Sequence, residues 1–268
     1  VIAADRAADM RQMHANLMGA PGFQPQTDER AASGGLLDAV MRHGAPSVGA
    51  NRALCARAEA GNRRDVDINF PFDATSTPAQ VMERMEGLYQ TTLAETQELL
   101  DPTQLDHAAK LIANARQVDI YTGSHNLYPA GMFRDRLLSA GKSATCYGNI
   151  EAQVRTALTS DSDRAAIVIS YSGLAPNLKK ILPILSSRHV PVIIIGTPYC
   201  ARIHPGFAAY LTVSDHESMT HRITQFASHI AVQYVLDSLY SSYFAKDYAR
   251  CAEFLERSFP YTRLPGVK

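Results

Sequence analysis

The sequence predicts an α/β fold, a doubly wound five-stranded parallel sheet flanked by helices and preceded by a mainly helical N-terminal region. Three observations carry that expectation. Short apolar runs rich in β-branched residues recur between residues 118 and 213, and each is followed by a segment of helical character. Two of them, Ala165–Ser170 (AAIVIS) and Val190–Gly196 (VPVIIIG), are unbroken, the pattern of strands buried on both faces. The first of these runs on into Tyr171-Ser172-Gly173, a small-residue turn that delivers the chain to Pro176 and a new helix. A strand ending in small hydroxyl residues at a helix N-terminus makes an anion site, because free N–H groups, the helix dipole and hydroxyls converge there.

Composition sets the outer bounds. The 268 residues are 46% apolar, enough for a sizeable core, and 26 basic residues balance 26 acidic ones. No global charge excess points to nucleic acid, although neutrality overall is compatible with a local basic patch. Cys55, Cys146, Cys200 and Cys251 are scattered without a CxxC pair, which argues against a zinc module and for ordinary reduced thiols. No stretch approaches the roughly 20 apolar residues that span a bilayer, and Val1–Asp5 does not read as a signal peptide. A soluble, cytoplasmic protein is expected.

Residues 1–64 are rich in Ala, Arg, Gly and Met. Asp5–Met18 and Ala31–His43 have helical spacing, separated by the breaker cluster GAPGFQPQ at residues 19–26. Arg30, Arg42, Arg52, Arg57, Arg63 and Arg64 make the region locally basic, which suits either DNA or a solvated face. Residues 65–100 read as a linker and connecting helix. Thr77-Pro78 supplies an N-cap and a first-turn proline, and Val81, Met82, Met85, Leu88, Tyr89 and Leu93 follow at helical spacing. Asp101-Pro102-Thr103-Gln104 opens the next helix as an N-cap with Gln three residues on. That helix begins the α/β domain, residues 101–245.

Its strands are expected at Val118–Tyr121, Ser143–Tyr147, Ala165–Ser170, Val190–Gly196 and Ala209–Val213. Helices at Pro129–Ala140 (closed by Gly141), Ile150–Thr159, from Asn177 to about Ser187, and near Ala201 alternate with them. A last long helix, about Ser218–Ser242, carries Ile223, Phe226, Ala227, Ile230, Ala231, Tyr234, Val235 and Leu239 on one stripe. Residues 246–268 read as a C-terminal tail. The apolar stripes of helix 78–100 and of the last helix predict a homodimer or homotetramer.

In a doubly wound sheet the ligand sits beyond the carboxyl ends of the strands, where strand order reverses. The turns after strands one and three fall at that edge. After strand one, Gly123 lets a backbone come close and Ser124 offers a hydroxyl; after strand two come Asn149, Glu151 and Gln153; after strand three come Ser170 and Ser172. Hydroxyls and amides hold a phosphate without the desolvation penalty of a buried cation. Taken singly each turn is also compatible with a purely structural role, and the convergence of two Ser-bearing turns favours the ligand. Arg222, Gln225 and His229 lie off the apolar stripe of the last helix and border the same edge. Glu217 and His221, one turn apart, form either an acid–base pair or a capping carboxylate beside a surface histidine. The other histidines follow no metal-ligand spacing. No G-x-x-x-x-G-K-[ST], G-x-G-x-x-G or G-x-S-x-G is present, so nucleotide hydrolysis, dinucleotide binding and serine-hydrolase chemistry have no motif, and neither a cofactor nor a metal is expected.

The pieces IYTGSHNLYPAGMFRDRLLSAGK, AAIVISYSG, VPVIIIG and MTHRITQFASHIAVQYVLDSLY resemble, in order and spacing, the SIS (sugar isomerase) domain of RpiR-family transcriptional regulators. The likeness covers residues 66–245, including the segment that joins the family's two domains. It implies a flavodoxin-like strand order and a sugar-phosphate effector whose phosphate is held by Ser124, Ser170 and Ser172, with Glu217 where isomerases of the wider superfamily keep their base; Gly123, His125, Gln153 and Arg222 complete the expected ligand-binding set. His125 and Ala175 stand where the family keeps a second Ser and a Thr, and Glu151 stands where a His is frequent, so a changed ligand or weaker phosphate binding follows. The resemblance also implies operator DNA as a partner, through a helix-turn-helix of about the length of residues 1–64. Ser47–Arg57 lies where its recognition helix belongs, but the pattern there is degraded and assigns no DNA-binding residue. The implied function is a regulator of carbohydrate-metabolism genes and not an enzyme. The alternative is an aldose–ketose isomerase with Glu217 as base.

Overall fold

The structure, a computed structural model, describes residues 66–262. The expected helices Asp5–Met18 and Ala31–His43, the basic run Arg30–Arg64 and the segment Ser47–Arg57 lie outside the described residues.

Residues 66–77 are extended and lead into α1 (Pro78–Leu99). Thr77 caps it as the sequence implies: its hydroxyl accepts from the Gln80 N–H at 3.3 Å while the Gln80 side chain accepts from the Thr77 N–H at 2.9 Å. Helix α2 (Pro102–Asn114) starts on Asp101, which accepts from the Thr103 N–H at 2.7 Å. Gln104 does not complete a capping box; its Oε1 accepts from the Tyr210 N–H at 3.0 Å and ties α2 to the edge of the sheet.

Strand and helix then alternate: β1 (Gln117–Tyr121), α3 (Leu127–Ser139), β2 (Ala144–Cys146), α4 (Ile150–Thr159), β3 (Arg164–Ile169), α5 (Leu178–Ser187), β4 (Val192–Gly196), α6 (Pro198–Ile203) and β5 (Ala209–Thr212). All pairings are parallel, in the order β2-β1-β3-β4-β5. This is the doubly wound, flavodoxin-like sheet that the sequence predicts. Alternation along each strand divides the core in two. Ile167 and Ile169 of β3 join Val118 and Ile120 of β1 beneath α2, α3 and α7 (Ala227–Lys246), while Ala166 and Val168 face Ile181, Leu182 and Leu185 of α5 on the other side. Two-sided burial is why β3 and β4 read as unbroken apolar runs.

Two elements differ from expectation. The last long helix begins at Ala227 rather than Ser218, and residues 213–226 form an irregular loop. Its N–H groups are taken by distant partners: Ser218 donates to Asn69 Oδ1 (2.7 Å) and Ile223 to the Asn69 carbonyl (3.0 Å), while Thr220 and His221 both turn to the Ser218 hydroxyl. Those bonds replace the i→i−4 ladder that a helix needs. Of the stripe expected on this helix, Ala227, Ala231, Val235 and Leu239 are buried in the chain together with Val232 and Leu236, while Phe226, Ile230 and Tyr234 are half-buried and Ile223 is exposed. In α1 only Leu88 of the expected apolar positions is buried, and Met82 is 74% exposed. Residues 248–262, read as tail, form α8 (Tyr248–Thr262), whose Phe254 ring covers Gly141 at the end of α3.

The carboxyl ends of β3 and β4 approach so closely that a methyl group on Gly196 would lie 2.4 Å from the Ser170 carbonyl oxygen and 2.9 Å from Cβ and Sγ of Cys200. Backbone and a buried helix cannot both retreat. Gly196→Ala is expected to lower unfolding free energy by about 1–3 kcal/mol, as overpacked cores do. Urea melts of the two proteins check this; equal midpoints would show that the two strand ends part freely.

Candidate ligand-binding site

Strand order reverses at β1 and β3, so the turns after these strands diverge at the carboxyl edge of the sheet and leave a crevice. A cleft of about 670 Å³ opens there. Its walls come from four places: the β1 turn (Thr122–Asn126), the start of α4 (Ile150, Gln153), the β3 turn (Ser170–Asn177) and, from the loop before α7, Met219, Arg222 and Gln225. Seven of the eight candidate residues, Gly123, Ser124, His125, Gln153, Ser170, Ser172 and Arg222, are brought together on this wall.

The β1 turn is strained. Ser124 holds φ 54°, a left-handed conformation uncommon for a residue with a side chain. Gly123 is extended at φ −153°, and a Cβ there would meet nothing within 4 Å, so it leaves open space on the cleft side rather than permitting a tight protein contact. The Thr122 hydroxyl donates to the Ile169 carbonyl (2.9 Å) and sutures the two turns.

The β3 turn is held by its own hydroxyls. Ser170 Oγ accepts from the Gly173 N–H (3.1 Å) and Ser172 Oγ from the Leu174 N–H (3.3 Å). Each serine accepts from the backbone, and its O–H hydrogen is what it can offer an anion.

Gln153 is a brace. Its amide nitrogen donates to the carbonyls of Thr122 (2.6 Å) and Tyr147 (2.8 Å), and its Oε1 accepts from Asn177 Nδ2 (3.0 Å). One fully buried side chain thus fixes the turns after β1, β2 and β3. Asn149, also considered for the ligand, caps α4 by accepting from the Ala152 N–H, and Glu151 pairs with Arg155 on an exposed face.

Arg222 is the cleft-lining residue that carries a fixed charge, and it is half-buried against the fully buried Glu217. Glu217 itself does not line the cleft. It ion-pairs with Arg222 and accepts from the Ser228 N–H (2.5 Å) and hydroxyl (3.0 Å) at the open N-terminus of α7. His221 is not its neighbour along a helix; it lies against Phe70 with ring centroids 4.7 Å apart and the rings tilted by 58°. Burial and the Arg222 guanidinium hold the His125 imidazole below its usual pKa, against the pull of Glu217. Asn126 and Asn177 belong to this wall and were not singled out from sequence. Asn126 directly follows the turn Gly123-Ser124-His125, which is the signal for it; Asn177, expected as the first residue of a helix, stands at the N-cap of α5 and spends its amide on Gln153.

Comparison with known proteins places this architecture. No family model matches the chain. A curated relative, an uncharacterized HTH-type transcriptional regulator from the aarA 3′ region of Providencia stuartii, is 22% identical over 126 residues, 47% of this chain and 43% of that protein. The chain therefore matches less than half of that relative's length. Among solved structures, the Vibrio vulnificus NanR protein, complexed with ManNAc-6P, superposes with a TM-score of 0.60 at 16% identity over 71% of this chain and 72% of that one. The sugar isomerase domain of an RpiR transcription factor from Sphaerobacter thermophilus gives 0.57 at 16% identity, covering 68% of this chain and 98% of that one. Residues 66–262 have the SIS fold. Phosphoheptose isomerase GmhA from Neisseria gonorrhoeae shares it too, with a TM-score of 0.51 at 14% identity over 62% of this chain and 99% of that one. Fold alone therefore does not separate a sensor from an isomerase.

What this SIS domain does with its carboxylate is the more telling feature. Glu217 has no exposed side-chain surface, and its oxygens are engaged by Arg222 and Ser228. Removing its charge strands a buried guanidinium. Glu217→Gln is expected to cost about 3–5 kcal/mol, the usual penalty for breaking a buried pair from one side. Denaturant melts test this, and a loss below 1 kcal/mol would mean that Arg222 swings freely to solvent.

Proposed function

We propose that the chain is a ligand-sensing transcriptional regulator in which a phosphorylated sugar enters the cleft of the SIS domain and changes how residues 1–64 engage operator DNA. The phosphate is received by the hydroxyls of Ser124, Ser170 and Ser172 with Arg222, while His125 and Gln153 stand beside it. Similarity to regulators of the RpiR type supports this reading. So does the commitment of Glu217 to a buried ion pair, which removes it from the role of a proton-transfer base. The protein acts without turnover, in the cytoplasm, as a homo-oligomer.

The observation that carries the proposal is the position of loop 213–226. One side of it presents Met219, Arg222 and Gln225 to the cleft. The other side is bound to the segment that leads back to the N-terminal region. Asn69 receives the N–H groups of both Ser218 and Ile223, Phe70 lies against His221, and Phe72 meets Phe226 edge-on at 6.3 Å. A ligand that pulls on Arg222 therefore acts on residues 69–72 through a handful of direct contacts. Coupling between two sites needs such a shared element.

The test is thermal shift across sugar phosphates and their unphosphorylated parents, followed by operator binding with and without the best of them. A true ligand at a hundredfold excess over its Kd stabilises the protein by about 2.7 kcal/mol. The shift should appear only with a phosphorylated sugar and vanish in Ser170→Ala and Ser172→Ala. Operator affinity should fall with salt and change with ligand. Asn69→Ala should keep the thermal shift while reducing the effect of the ligand on DNA. Conversion of aldose to ketose phosphate, lost in Glu217→Gln, would overturn the non-enzymatic reading in favour of an isomerase.

A further inference from the structure

The β1 turn carries polar atoms that the protein itself does not satisfy. Both ring nitrogens of His125 and Oδ1 of Asn126 are shut away from solvent without a hydrogen-bond partner. They make up three of the five such side-chain atoms among the described residues, and the other two lie on Thr92 and Arg164, outside this cleft. Asn126 is 5% exposed, and both residues stand on the cleft wall. Unpaired buried groups are uncommon in native proteins, and where they gather at a cleft they mark what the cleft is built to receive. They also follow directly on Ser124, the strained residue of the turn.

The chemistry of these three atoms is specific. A neutral imidazole has one N–H donor and one nitrogen acceptor, and an amide Oδ1 is an acceptor. The set therefore offers one donor and two acceptors. A phosphate group only accepts, so it could meet one of the three and would leave two acceptors facing its own oxygens. With two acceptors against one donor, the β1 turn presents a surface that needs donors from the ligand.

We propose that His125 and Asn126 form a neutral subsite that reads hydroxyl or amide N–H groups on the sugar portion of the ligand, separate from the phosphate subsite at Ser124, Ser170, Ser172 and Arg222. The inference rests on the phosphorylated-sugar reading above. It adds that selectivity among phosphorylated compounds comes from His125 and Asn126, while the phosphate itself is held by Ser124, the β3 turn and Arg222. Deoxy analogues that remove the donor should lose most of the discrimination, since an unpaired buried acceptor is left behind.

The experiment is calorimetric titration of the full chain with three probes: inorganic phosphate, the best-binding sugar phosphate of the thermal-shift panel, and its monodeoxy analogues. These are run on the natural protein and on His125→Leu, Asn126→Leu, His125→Ser and Ser170→Ala. In His125→Leu and Asn126→Leu, affinity for the sugar phosphate is expected to fall about tenfold, one hydrogen bond's worth, with inorganic phosphate unchanged. His125→Ser, which keeps one donor but removes the imidazole's acceptor nitrogen, should favour inorganic phosphate relative to the sugar phosphate, and Ser170→Ala should weaken both probes alike. Because His125 makes no protein hydrogen bond, His125→Leu is expected to melt no lower than the natural protein, so lost binding cannot be ascribed to unfolding.

Equal losses for both probes in the leucine variants would make His125 and Asn126 part of the phosphate subsite and overturn the inference, leaving the proposed function intact. Unchanged binding of the sugar phosphate in both leucine variants would overturn it as well. No binding of any phosphorylated probe by the natural protein would remove the proposed function and this inference together.

Discussion

Everything at the carboxyl edge of the sheet depends on β1 and β3 lying side by side while their chains leave in opposite directions. Parallel pairing from Gln117↔Arg164 to Tyr121↔Val168 brings two turns, 47 residues apart in sequence, to one place. Adjacency alone would not keep them in register, because the turns carry backbone carbonyls beyond the strand ends that need donors. Gln153 resolves this by taking two of those carbonyls from two different turns and offering its own oxygen to the third through Asn177. A buried amide with all three bonds made is net favourable, whereas the same amide with one partner missing is a liability. The three turns are therefore coupled: the shape of the cleft is a property of the brace as much as of the residues that line it.

The second constraint is the disposition of charge. Glu217 is placed where the exposed N–H groups of α7 and the guanidinium of Arg222 can share it. The helix lacks a side-chain cap of its own, since Phe226 occupies the N-cap position. A carboxylate that serves both helix and arginine cannot be removed without loosening both. That arrangement explains why the loop before α7 is ordered although it is not helical. It is pinned at Glu217 from the core side and at Asn69 from the linker side, with Arg222 between them.

How much of this was legible in the sequence follows from how local each cause is. The strands were legible because burial on both faces leaves no room for polar residues, as in Ile167–Ile169 and Ile193–Ile195. Helix starts such as Thr77-Pro78 and Asp101-Pro102 were legible because capping is settled within three residues. Most of the cleft could be named because its residues follow directly on strand ends. The start of α7 could not, because Asn69, 149 residues away from Ser218, takes the N–H groups that would have made another helical turn. Ile223 and Phe226 continue the apolar stripe without continuing the helix. Gln153 was assigned to the ligand from its position after β2; only the folded chain shows that its amide serves carbonyls. Helix α8 was missed because it presents little apolar surface to the core, with Tyr248 and Tyr261 exposed and Cys251 its one fully buried residue.

These two constraints together define what kind of recognition the cleft can perform. The charge of Arg222 is opposed at contact by Glu217, so what reaches the cleft is closer to a dipole than to a free cation. Two unit charges 4 Å apart attract by about 4 kcal/mol at the dielectric of a protein surface, and a carboxylate directly behind the arginine cancels much of that. On the proposed reading, an anion here would be held chiefly by directed neutral donors, which act over a single hydrogen-bond length. Recognition by such groups is short-ranged and exacting about geometry, which suits a turn whose shape is fixed by strain at Ser124 and by the Gln153 brace. Such a site would gain its selectivity from neutral contacts with the body of the ligand, with a phosphate serving mainly to orient it. The same balance would make the pull of a ligand on Arg222 small in energy. A small pull would suffice where the loop is already tied to residues 69–72, since the two backbone N–H groups held by Asn69 join the two segments directly.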